Sequence, residues 1–125
     1  MPVELTPSTA RLALGAGRTS FAAAWLQPQL AGRLFGLRRA AQTDVALPFL
    51  MRLFAIRDGA LGLITLLAPA ERRKQVLAVG VVVDAADLAA AVLMAKDRRV
   101  PRATAVMSAL AAGFAVALGV FALRD

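Results

Sequence analysis

QVLAVGVVVDAADLAAAVLMA, residues 75–95, is the stretch that decides the fold. After Gln75 only Asp84 and Asp87 interrupt an apolar run whose length, at 1.5 Å rise per residue, matches a hydrocarbon layer of about 30 Å. Three more segments of similar length follow the same pattern, at 8–27, 48–68 and 102–123. Helices of soluble proteins average about 11–12 residues, so four successive segments of this length point to a membrane. Together they take up most of the chain, leave no room for a separate soluble domain, and show no internal repeat. The expected architecture is all-α: one transmembrane domain, 1–125, forming a polytopic four-helix bundle.

Composition agrees. Of 125 residues, 59% are hydrophobic and 18% charged, against about 45–50% apolar in an ordinary soluble domain. The chain has no Cys and no His, which removes disulfides, thiol chemistry, the usual zinc and haem ligands and the ordinary general base at neutral pH. No metal and no cofactor are expected. The net charge of +7 would raise the question of nucleic acid in a soluble protein. Here the basic residues cluster between apolar runs, at Arg33, Arg38 and Arg39, at Arg72, Arg73 and Lys74, and at Lys96, Arg98, Arg99 and Arg102. Lipid headgroup phosphates are their natural counterions, so the lipid bilayer is the expected partner and nucleic acid is not.

The segment boundaries carry physical markers. Pro7, Pro69 and Pro101 suit first-turn helix positions, where a missing N–H costs nothing, and Glu71 favours a helix N-terminus through the dipole. Trp25 sits near the end of the first segment, as interfacial tryptophans do. Leu30, Leu34 and Leu37 recur at helical spacing and predict one short interfacial helix between the first two spans. The first segment lacks a basic leader, follows Glu4 and contains Arg18, so it is expected to be retained and not cleaved as a signal peptide. Seven basic side chains flank one side (Arg33, Arg38, Arg39, Lys96, Arg98, Arg99, Arg102) and five the other (Arg11, Arg72, Arg73, Lys74, Arg124). The positive-inside rule then leans toward both termini outside a bacterial cytoplasmic membrane.

The informative residues are those that lipid disfavours. Arg18 falls in the first span, Arg52, Arg57 and Asp58 in the second, Asp84 and Asp87 in the third. Each charge at the bilayer centre costs at least about 2.5–3.5 kcal/mol on insertion scales, so such a set needs pairing, hydration or a use. All but Arg52 lie near the middle of their spans, within roughly 5 Å of one plane, whereas Arg52 is placed to snorkel. Gly15, Arg18 and Ala22 form one helical stripe, Asp58, Gly62 and Thr65 a second, and Gly80, Asp84, Asp87 and Ala91 a third. The fourth span offers Thr104, Ser108 and Ala112. Arg57 and Asp58 point about 100° apart, so Arg57 is expected to face Asp84 or Asp87, and Asp58 to face Arg18. Asp84 and Asp87 would repel one another unless an Arg separates them or one stays protonated. The Met and Phe residues are read as packing or lipid-facing groups.

The run Arg52-Leu-Phe-Ala-Ile-Arg57-Asp58-Gly59-Ala-Leu-Gly62, followed by Asp84-Ala-Ala-Asp87, with Gly17-Arg18 and Leu34-Phe35-Gly36-Leu37, resembles a family of small bacterial integral membrane proteins with four predicted helices, a domain of unknown function. The resemblance implies the four-helix architecture and singles out Arg18, Arg57, Asp58, Asp84 and Asp87, but it names no substrate.

Three functions compete. One is a membrane-embedded binding or accessory protein, in which Arg18, Arg57, Asp58, Asp84, Asp87 and Ser108 hold the polar end of a lipophilic molecule or dock a membrane partner, a second copy included. Another is an intramembrane isomerase, cyclase or hydratase. There a protonated Asp84 or Asp87 gives a proton, another carboxylate such as Asp58 takes one, and Arg57 stabilises developing negative charge. The third is a compact proton-coupled transporter, for which no inverted repeat or broken helix is visible. No P-loop, HExxH, GxSxG or GxGxxG motif occurs in its required context. A closed interior in which all five charges pair, with no cavity, would rule out both the enzyme and the ligand readings, and a cavity open to lipid with an unpaired Asp would favour both.

Overall fold

A computed structural model describes residues 4–124, the side chain of Ala41 apart. Among the described residues the chain is all-helical, with six α-helices and no strand: α1 (Pro7–Trp25), α2 (Pro28–Leu34), α3 (Arg38–Thr43), α4 (Ala46–Leu67), α5 (Arg73–Ala95) and α6 (Arg102–Ala122). A 3-10 turn over Ala70–Arg72 leads into α5. Two helices among the described residues are long and apolar enough to cross a membrane, α5 together with its 3-10 turn and α6, each with a mean hydropathy of 2.2 in its most apolar window. By contrast, α4 carries Arg52, Arg57 and Asp58, while α1 carries Arg11 and Arg18 among Gly, Ser and Thr.

Local chemistry sets the ends. The Thr6 side chain accepts from the Thr9 amide at 3.2 Å and Thr9 Oγ1 accepts from the Thr6 amide at 2.8 Å, with Pro7 in the first turn. This reciprocal cap satisfies two of the four amides a helix start leaves free. Pro69 and Pro101 sit one place earlier than the sequence suggests, as the residues preceding the first turn, in extended backbone that proline suits. At the other end of α4, Arg11 donates to the Thr65 carbonyl at 2.9 Å and Arg73 Nε to the Ala68 carbonyl at 3.3 Å. Both cations meet the negative end of the helix dipole.

The single interfacial helix expected around Leu30, Leu34 and Leu37 is instead two short helices. Gly36, at φ +70°, turns the chain between α2 and α3 into the left-handed region that favours glycine. The Thr104 hydroxyl donates to the Phe35 carbonyl at 2.5 Å, tying this break to the start of α6.

Packing follows small residues. α1 lies along α4, α5 lies along α6, and α1 also touches α6, while α4 and α5 meet little. Gly15 and Gly62 form the α1–α4 crossing: a Cβ at Gly62 would stand 2.6 Å from Thr19 Oγ1 and 2.9 Å from the Gly15 carbonyl oxygen. Absent side chains let these backbones approach. Ala10, Leu14, Leu77 and Ala122 close one end of the helix group, and Ala31 and Met51 with Trp25, Leu37 and Leu47 close the other. Large apolar side chains remain exposed on every long helix, among them Leu12, Ile56, Leu63, Val82, Leu93, Leu110 and Phe114.

Candidate functional site

Between the two closed ends, α1, α4 and α5 bring charges together. Arg18, Arg57, Asp58, Asp84 and Asp87 each lie within three residues of the middle of their helix. Their stripes face inward as the spacing requires: Gly15, Arg18 and Ala22 are buried, as are Gly62 and Thr65, and Gly80, Asp84 and Ala91. Arg52 is exposed and takes no part.

Arg18 is the hub. Its Nη2 donates to Asp84 and, at 3.4 Å, to the Gly80 carbonyl, while Nη1 pairs with Asp58 at 3.5 Å. Arg57 forms a separate two-point pair, with Nη2 2.6 Å and Nη1 3.3 Å from the Asp87 carboxylate oxygens. The guanidinium fork matches a carboxylate in this geometry. Two of these contacts, Arg18–Asp58 and Arg57–Asp87, are among the pairings the sequence offers. Arg18–Asp84 is not, because sequence periodicity gives each helix a face but not its neighbours. Asp84 and Asp87 take different arginines from different helices.

A cavity of about 470 Å³ adjoins the network. Arg18, Asp58, Asp84, Asp87 and Ser108 line it; Arg57 stands behind Asp87, outside the lining. Ala13 and Gly17 on α1 and Ala111 and Phe114 on α6 line it yet are exposed, so the cavity opens to the outside past them. Most of the wall is apolar, with Leu14, Met94 and Leu118 among its members.

One part of the wall departs from the sequence reading. Phe21, Trp25, Phe35 and Phe54 all line the cavity and form one cluster. Trp25 lies 4.9 Å from Phe35 and 5.2 Å from Phe54 between ring centroids, and Phe21 lies 5.8 Å from both Trp25 and Phe35. The Arg57 guanidinium stacks 4.1 Å from the Phe54 centroid, joining this cluster to the charges. The usable sequence signals were Arg18, Phe21 and Trp25 at steps of three and four, and Phe54 with Arg57 and Asp58 at the same steps. These put aromatic and charged groups on one face of each helix.

Comparison with protein-family models, curated proteins and solved structures finds no match for this chain.

Proposed function

We propose that α1, α4, α5 and α6 all cross a bacterial cytoplasmic membrane, as in the small four-helix family the sequence resembles, and that the cavity binds a lipophilic small molecule. Helices of 19, 22, 23 and 21 residues have lengths of about 30 Å. The exposed Leu, Ile, Val and Phe side chains on all four are consistent with a lipid surrounding.

The observation that carries the binding reading is the cavity itself: an apolar, aromatic-walled space ending on a few convergent polar groups, the usual form of a small-molecule site. A network serving only to fix helix register needs no such space. Acid–base catalysis has no comparable observation behind it: Asp58, Asp84 and Asp87 each have an arginine within 3.5 Å.

The test is mass spectrometry of lipophilic compounds retained through purification in mild detergent. Gly17 faces open space, with no atom within 4 Å of an added Cβ, so Gly17→Phe fills the cavity without a backbone clash. Retention by the parent chain and its loss in Gly17→Phe is the expected result. Equal retention by both, or by neither, overturns the reading.

A further inference from the structure

Resting on that reading, we infer that the cavity is built for a lipophilic cation. Three carboxylates, Asp58, Asp84 and Asp87, meet two guanidiniums, Arg18 and Arg57, and α6 contributes no charge to the wall. One negative charge is therefore in surplus beside a largely apolar space, where an uncompensated charge is costly. A proton or a ligand cation has to balance it.

Access decides which groups a ligand meets. The Arg18 and Asp84 side chains keep only 5% and 6% of their surface, whereas Asp58 keeps 16% and Asp87 27%. Among the charged side chains that line the cavity, the carboxylates of Asp58 and Asp87 are thus the more accessible. Among the described residues three buried donors lack a partner, Arg18 Nε, Arg57 Nε and Trp25 Nε1, but these atoms have almost no accessible surface. An acceptor group in the cavity does not reach them. Beyond the carboxylates stand Phe21, Trp25, Phe35 and Phe54, whose ring faces attract cations. Arg57 already shows this chemistry within the protein, stacked on Phe54 and paired with Asp87. A hydrophobic monocation in the cavity adds the charge the cluster lacks, and its apolar body lies against the rest of the wall.

Trp25 is the single tryptophan and lines the cavity, so its fluorescence reports occupancy. The chain in nanodiscs of zwitterionic lipid is titrated with tetraphenylphosphonium, neutral tetraphenylmethane and anionic tetraphenylborate, which share one shape. Saturable quenching by the cation, about ten-fold or more tighter than by the neutral probe and absent with the anion, is expected. Gly17→Phe should remove the saturable phase. Arg57→Gln unpairs Asp87 and should tighten the cation several-fold, while Asp87→Asn should bring cation and neutral probe to nearly equal affinity. Should Asp87→Asn not fold, Arg57→Gln decides: unchanged cation affinity there overturns the inference. Equal binding of all three probes, or tighter binding of the neutral or anionic one, overturns the cation assignment and leaves ligand binding standing. Absence of saturable quenching with every probe overturns both.

Discussion

Arg18 has two carboxylate partners of unequal closeness, and the inequality is measurable. Removing Asp84 leaves a buried guanidinium with one carboxylate, Asp58 at 3.5 Å, and the Gly80 carbonyl at 3.4 Å. Loss of one member of a buried pair typically costs about 3–5 kcal/mol. Asp84→Asn is therefore expected to lower the thermal midpoint in detergent markedly, and Asp58→Asn clearly less; the reverse order would make Asp58 the principal partner. Outside the long helices, Asp97 shows the opposite regime. The Arg99 side chain and amide hydrogen-bond to its carboxylate and hold its pKa below the ordinary value. A depressed pKa gives a contribution complete above the normal carboxylate range and lost as pH falls through the lowered value. The pair faces solvent, Arg99 almost wholly and Asp97 in part, so this contribution is small. A carboxyl-detected NMR titration should place Asp97 below the ordinary carboxylate value, and Asp97→Asn should leave the neutral-pH midpoint nearly unchanged. Which residues carry charge inside a helix, and on which face, was legible from spacing. That Arg18 reaches α5 was not, because it depends on which helices are neighbours.

Glycine decides how closely α1 and α4 pack. At Gly62 a methyl group would meet Thr19 and the Gly15 backbone at 2.6–2.9 Å. Gly62→Ala should therefore cost about 1–3 kcal/mol as an overpacking change. Gly17 and Gly113 have nothing within 4 Å, and alanine there should be neutral or stabilise by up to about 1 kcal/mol through helix propensity. Thermal melts of the three variants in one detergent check the contrast, which similar shifts at all three sites would contradict. The break at Gly36 belongs to this scale too. A leucine spacing of three and four residues suggested one continuous interfacial helix, but the positive φ at Gly36 overrides that periodicity. A side chain there costs about 1–2 kcal/mol, so Gly36→Ala should be destabilising.

The molecule as a whole is a polar centre with apolar surroundings, and the proposed membrane topology is open to a direct check. The chain has no cysteine, so single replacements report unambiguously. With four spans, a cysteine at Ser8 or Glu71 should label from one side of the membrane and one at Gln29 or Asp97 from the other. Labelling of Glu71 and Asp97 positions from the same side would rule the four-span arrangement out. By itself the sequence determined the all-helical class, the approximate limits of the four long helices, and the small set of charged residues that need partners. These follow from local quantities: hydropathy summed along a helix, proline and glycine at the ends, and spacing of three and four residues. Only the tertiary structure decided that Arg18 joins α4 to α5, that Phe21, Phe35 and Phe54 gather with Trp25, and that a cavity lies beside the carboxylates. Those features depend on which helix neighbours which and how closely each pair approaches. That choice is made by contacts between residues 40–66 positions apart, which periodicity along one helix does not encode.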